Sequence, residues 1–184
     1  MRLIALLLAL FVLPSLGACD RQKPDAPQAP AAEGAQSGKG LDRSHKGDRA
    51  PTTTFANPDG GTTDIASFAG KPVLLNLWAT WCAPCVKELP TIEALEAEQK
   101  GRLAVIAVSQ DMTPQGEVDA FLAGKKLGRF AAYHDAEMAL SSALGVQILP
   151  TTILFDAAGQ EVWRFTGDMD WTGAEAKALL AEVS

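Results

Sequence analysis

The sequence predicts an α/β domain: a central mixed β-sheet flanked by helices, extended on its N-terminal side by a β-hairpin. Short apolar runs at Val73–Leu77, Leu103–Val108 and Thr151–Phe155 have the length and composition of buried strands. Between them lie stretches with apolar residues at helical spacing, as at Val86, Leu89, Ile92 and Leu95. Turn-forming clusters, Asn57-Pro58-Asp59-Gly60-Gly61 and Asp156-Ala157-Ala158-Gly159, each join a pair of short strand candidates. The 184 residues, 47% of them apolar, suffice for one ordinary globular domain and are too few for two large ones. Glycine shows no period and there are only three cysteines, so collagen-like and disulfide-scaffold classes are excluded, as is a wholly disordered chain.

Taken in order, the first 18 residues read as an export signal. Arg2 supplies a thin positive start, Leu3–Leu13 is an unbroken apolar run, and Pro14-Ser15-Leu16-Gly17-Ala18 ends in small residues before Cys19. The apolar run is about half of the ~20 residues that a membrane-spanning helix needs. Leu16-Gly17-Ala18-Cys19 resembles the bacterial lipobox, which implies acylation of Cys19 as the first residue of the mature chain, with Asp20 favouring retention at the inner membrane. A soluble export signal is the plainer alternative, but it would release a free thiol into an oxidising compartment.

Residues 19–50 read as a lipidated cysteine followed by a flexible linker, rich in Pro, Gly, Ala, Gln and Ser, with Leu41 as the one large aliphatic after Cys19. A coil of that length has an r.m.s. span of roughly 30 Å, enough for a tethered domain to swing clear of a membrane surface. Charge divides at the same boundary: residues 20–50 carry a net +1 and residues 51–184 a net −8. An acidic domain without a basic stripe is repelled by phosphate backbones, so no nucleic-acid partner is expected.

Within residues 51–184, Thr52–Phe55 and Thr62-Thr63 form the predicted hairpin, and Val73–Leu77 a buried strand. A helix follows to about Lys100, then a strand at Leu103–Val108, a helix at Val118–Lys126, a short strand at Phe130–Tyr133 and a helix at Met138–Leu144. Thr151–Phe155 and Glu161–Phe165 make a second hairpin, and Ala174–Val183 a closing helix.

The chemistry is placed at Cys82 and Cys85, two thiols separated by two residues, after a buried strand and at the start of a helix. Unpaired N–H groups and the helix dipole favour the thiolate of the first cysteine. Pro84 fits the first helical turn, where a missing N–H costs nothing. A zinc or copper site is the rival reading and needs two further ligands. There is no second cysteine pair, His45 falls in the linker and His134 stands alone, so no metal and no cofactor beyond the dithiol is expected.

Asn76-Leu77-Trp78-Ala79-Thr80-Trp81-Cys82-Ala83-Pro84-Cys85, followed by Glu88, Pro90, Gly145-Val146 and Pro150-Thr151-Thr152, resembles the thioredoxin superfamily in its membrane-tethered TlpA/ResA-like branch. The resemblance covers essentially all of residues 51–184. It implies a thioredoxin fold with a cis bond from Leu149 to Pro150 beside the dithiol, leaving room for an extended substrate segment. Trp81, Ala83, Pro84, Leu149 and Pro150 are then the substrate-binding candidates, with Trp78 packed beneath the site and Trp81 on its rim. The plainer reading of Pro150 is a proline that merely opens a strand.

Two departures refine the resemblance. Asn76 stands where cytoplasmic thioredoxins hold a buried Asp, and Glu88 where TlpA/ResA-like proteins hold an acid near the dithiol. One helical turn past Cys85 and just before a kink expected at Pro90, Glu88 can face the sulfurs and manage their protons; otherwise it is a solvated glutamate like Glu93 or Glu96. The stretch Gly145-Val146-Gln147-Ile148-Leu149-Pro150-Thr151 lacks the Gly-Val-x-Gly-x-Pro-Glu pattern usual in cytochrome c maturation reductases, so that role is left open. Trp163 and Trp171 read as packing residues, His134 as a core or surface histidine, and Ser109 and Asp111 make no hydrolase arrangement with it.

The resulting expectation is a periplasmic, lipid-anchored thiol-disulfide oxidoreductase. It would reduce protein disulfides through Cys82 and Cys85 and be re-reduced by a membrane thiol-disulfide carrier. Two alternatives stand beside it. A peroxiredoxin-type thiol peroxidase would need a Thr-x-x-Cys loop, and a copper-handling protein would have a Cys-x-x-x-Cys spacing plus His.

Overall fold

The computed structural model describes residues 40–127 and 133–183. The segments expected as export signal, lipidated Cys19 and linker up to residue 39, and most of the strand expected at Phe130–Tyr133, lie outside the described residues.

Eight strands form one sheet in the order β1-β8-β7-β4-β5-β6-β2-β3. They are β1 (Gly40–Asp42), β2 (Phe55–Ala56), β3 (Thr62–Thr63), β4 (Val73–Trp78), β5 (Ala104–Ser109), β6 (Tyr133–His134), β7 (Thr151–Phe155) and β8 (Glu161–Thr166). β4, β5 and β6 run parallel, while β7 pairs antiparallel with β4 and β8 antiparallel with β7. This is the mixed sheet expected, with the β2–β3 hairpin turning through Asn57–Gly61, where the Asn57 side chain accepts the N–H groups of Asp59 and Gly61. The helices are α1 (Ala83–Gln99), α2 (Gln115–Gly124), α3 (Ala139–Ala143) and α4 (Ala174–Leu180). A 3-10 turn at Ile65–Phe68, capped by Asp64, had no sequence expectation.

The side-chain alternation of β4 divides the core. Val73, Leu75 and Leu77 join Ile106, Val108, Ile153 and Phe155 beneath Leu140 of α3 and Leu144 at its C-cap. Leu74 and Trp78 point the other way, to Leu89, Ile92 and Leu95 of α1, Val118 and Leu122 of α2, and Ala176 and Leu180 of α4. α1 continues as one helix through Pro90. All of β4 is buried, as a strand covered on both faces must be.

Residues 40–50, expected as the last part of a linker, are instead paired with β8 and its approach. Gly40–Asp42 adds to the sheet edge with Gly40, Leu41 and Asp42 opposite Thr166, Phe165 and Arg164. Beyond it, Gly47 N–H donates to the Glu161 carbonyl and Glu161 N–H to the Asp48 carbonyl. Strand addition is made by backbone groups and needs no apolar side chain, so the composition of residues 40–50 conceals it.

A buried charge pair lies here, on β8. Arg164 meets Glu161 through two bonds of 2.7 Å and donates at 2.9 Å to the Leu144 carbonyl, closing the end of α3. Because Arg164 would be left charged and buried, Glu161→Ala is expected to cost about 3 to 5 kcal/mol in urea unfolding. The double substitution Glu161→Leu/Arg164→Met should lose less than that single change; an equal or larger loss would mean that the pair itself supplies the stability.

Candidate active site

β4 ends at Trp78, and the turn Ala79-Thr80-Trp81 carries the chain to Cys82. That turn is held from both sides. Cys82 N–H donates to the Ala79 carbonyl at 3.1 Å, and the buried Asp111 carboxylate, just past β5, accepts from Thr80 N–H at 2.9 Å and Thr80 Oγ1 at 2.6 Å. Cys82 is the N-cap of α1 in extended conformation, and Cys85 N–H donates to its sulfur at 3.4 Å. Pro84 lies in the first turn of the helix, as expected.

Cys82 and Cys85 are joined as a disulfide with a Cα–Cα distance of 5.3 Å. Cys82 is 6% exposed and Cys85 fully buried. An incoming sulfur therefore reaches Cys82 first, and the backbone N–H at its sulfur lowers the cost of a thiolate there.

Glu88 is buried on the same face of α1, one turn beyond Cys85, and is not the solvated glutamate of the alternative reading. Its Oε1 accepts from Asn76 Nδ2 at 2.8 Å, and its Oε2 from Met169 N–H at 3.0 Å and Trp171 Nε1 at 3.1 Å. Burial pushes its pKa up from 4.5 to about 7, with a smaller push from the Asp168 carboxylate and a partial offset from the three hydrogen bonds. The group can hold or release a proton near neutrality, which is what acid–base work beside a dithiol requires.

Trp81 is 68% exposed and forms the rim, while Trp78 is buried in the cluster that contains both cysteines. The Leu149–Pro150 bond is cis, with Leu149 packed against that same cluster. Ala83 and Pro84 are exposed and Pro150 buried. Ser109, Asp111 and His134 do meet. Ser109 Oγ donates to the Asp111 carboxylate, but His134 Nε2 bonds the Asp111 backbone carbonyl at 2.7 Å, so they brace the Thr80 turn and form no triad.

Sequence reasoning missed three participants. Trp171, read as packing, is a donor to Glu88; Thr152 Oγ1 accepts from Asn76 Nδ2 at 2.9 Å; and Asp111 clamps the turn before Cys82. A signal existed for the first pair of strands: Asn76 and Thr152 are polar residues inside apolar runs, and they sit opposite each other between β4 and β7.

Comparison with known proteins agrees with this geometry. The sequence profile of the Redoxin family matches residues 45–180. The chain is similar to the thiol-disulfide oxidoreductase ResA of Halalkalibacterium halodurans, 33% identical over 127 residues, which cover 67% of this chain and 69% of that protein. It is also similar to the thioredoxin-like protein YneN of Bacillus subtilis, 31% identical over 121 residues, 62% of this chain and 67% of the relative. A solved structure from Chlorobium tepidum, assigned as a thiol:disulfide interchange protein DsbE, matches with a TM-score of 0.67 at 28% identity, covering 76% of this chain and 98% of that one.

The raised pKa of Glu88 makes stability depend on pH in a stated direction. The folded state holds the proton more tightly than the unfolded chain, so stability is fully present below 4.5 and falls as pH rises through about 7. The loss attributable to this group is roughly 3 kcal/mol, from 1.36 kcal/mol per pKa unit. In urea unfolding of the disulfide form from pH 4.5 to 8, Glu88→Gln is expected to lose correspondingly less stability than wild type, whereas Glu93→Gln should follow wild type.

Proposed function

The chain belongs to the Redoxin family, and from that premise we propose that it serves as a periplasmic, membrane-tethered reductant of protein disulfides. It is a thiol-disulfide oxidoreductase of the ResA and DsbE kind, acting through the Cys82–Cys85 pair. The direction and the setting are the proposal.

The observation that carries the direction is the buried carboxyl of Glu88 on the Cys85 side of α1. A dithiol becomes a strong oxidant when its reduced, thiolate form is stabilised. A carboxylate beside the pair opposes a thiolate at Cys85 and so favours giving electrons away.

The proposed reaction starts from the dithiol. Cys82 thiolate attacks a client disulfide, forming a Cys82–client bond and releasing the client's other sulfur as a thiolate that takes a proton from solvent. Ionised Glu88 then accepts the proton of the Cys85 thiol. The new thiolate attacks the Cys82 sulfur, the internal disulfide forms, and the second client sulfur leaves as a thiolate that takes up the proton Glu88 releases. Two electrons have passed to the client, whose two sulfurs end as thiols. Trp81 precedes Cys82 in the chain and Leu149 packs against the cluster that holds both cysteines, in keeping with an extended client segment lying there.

A membrane thiol-disulfide carrier would restore the dithiol, and lipid on Cys19 would keep the domain at the periplasmic face of the inner membrane. Clients in cytochrome c maturation or in assembly of an oxidase copper site fit such a location.

Direction is read by rapid acid quench and alkylation in cells: a pool held mostly as dithiol is expected, and a mostly disulfide pool would make the protein an oxidant. Cys85→Ala should accumulate reducible client adducts on Cys82. Trapping by Cys82→Ala in its place would reverse the two roles. Titration of copper(I) against the reduced protein separates this reading from a copper handler. For the tether, Cys19→Ser should abolish lipid labelling and release the domain from membranes; unchanged fractionation would remove the anchor.

A further inference from the structure

We propose that Asn76 turns its side-chain amide over when Glu88 takes up a proton, so that one residue serves as donor to the carboxylate and as acceptor to the acid. The proposal deepens the role of Glu88 given above and makes Asn76 a positioning residue for the proton exchanged at Cys85.

The constraint is the arrangement of donors. Glu88 Oε2 is already engaged by two N–H groups, those of the Met169 backbone and the Trp171 indole. Neither donor has an alternative role as acceptor. A proton added to the carboxylate therefore belongs on Oε1. There it faces Asn76 Nδ2 at 2.8 Å, a donor against a donor.

Asn76 can relieve this conflict. It is fully buried, and its Oδ1 has no hydrogen-bond partner. Turned about its last side-chain bond, Asn76 presents Oδ1 to the new Glu88 O–H. Its other partner accommodates the change: Thr152 Oγ1, 2.9 Å away, accepts from Nδ2 in one arrangement and donates to Oδ1 in the other, since a hydroxyl does both. The turn moves the unpartnered end of the amide from oxygen to nitrogen and preserves both contacts.

Few other charges bear on this exchange. From α1, Cys85 is in the disulfide and Lys87 is directed to Asp168, at 3.0 Å. β4 and β7 contribute Asn76 and Thr152, and the segment after β8 contributes Asp168, whose charge raises Glu88, with the uncharged groups of Met169 and Trp171. Glu88 is the one acid in direct contact with the amide among the described residues.

The test is nuclear magnetic resonance of the full chain in its disulfide form, with nitrogen-15 on Asn and Trp side chains and carbon-13 on the Glu carboxyls, titrated through neutrality. Both Asn76 amide protons are expected to shift upfield as pH falls, with the midpoint of the Glu88 carboxyl, while the Trp171 indole proton keeps its position. Glu88→Gln, whose amide nitrogen can occupy the Oε1 position as a permanent donor, should hold Asn76 at the wild-type acid endpoint at every pH. A stationary Asn76 amide, or a Trp171 indole that moves in its place, would overturn the proposal, as would Glu88→Gln holding Asn76 at the alkaline endpoint. None of these readings depends on turnover, so an oxidant in the cell would refute the direction proposed above and leave this result intact.

Discussion

A carboxyl group buried in an apolar layer has to be met by hydrogen bonds, and the neighbourhood of Glu88 is organised by that requirement. Its three donors come from two separate parts of the chain: Asn76 of β4, and the Met169 backbone and Trp171 indole of the segment between β8 and α4. Each partner is itself fixed by something else. Asn76 leans on Thr152 of β7, and Thr91 Oγ1, which donates to the Glu88 carbonyl at 2.8 Å, accepts from Trp171 N–H at 3.2 Å. One acid on α1 thus ties the helix to two central strands and to the approach to α4. Leaving any of these groups unpaired at this depth would cost of the order of 1 to 3 kcal/mol.

The sheet supplies the places where these groups meet. Because β4 and β5 run parallel, both deliver their C-terminal ends to the same edge, and the antiparallel β7 begins there. The turn bearing Cys82, the buried Asp111 that clamps it and the Pro150 segment therefore lie at one end of the sheet. The alternation of β4 then decides which side chains face α1: Leu74 and Trp78 reach the cluster that holds the cysteines, and Asn76 falls between them on that face.

Much of this was legible in the sequence. Hydrophobic period identified β4, β5, β7 and α1, because buried strands and an amphipathic helix have unmistakable patterns, and turn chemistry placed both hairpins. Cys82, Cys85 and Glu88 follow from spacing and resemblance. What escaped did so for physical reasons. β1 is a backbone pairing without apolar content, so residues 40–50 looked like linker. The bond from Trp171 to Glu88 spans 83 residues and joins a tryptophan that burial alone would explain. The Asp111 carboxylate turns to Thr80, a contact across 31 residues that no local pattern encodes.

The two sulfurs consequently live under opposite influences. Cys82 caps a helix whose first N–H groups favour negative charge, and it is the more exposed of the two cysteines. Cys85, three residues later, is buried on the face that carries Glu88, where a second negative charge is disfavoured while the carboxylate is ionised. Cys82 is thereby suited to act as a standing thiolate. In the proposed reaction Cys85 gains its charge at the mixed disulfide stage, when Glu88 takes the proton. With a proton passing between Cys85 and Glu88 in the proposed reaction, the pH behaviour of the reduced site belongs to the cysteines and Glu88 together, and the amide of Asn76 is the proposed reporter of the carboxyl proton.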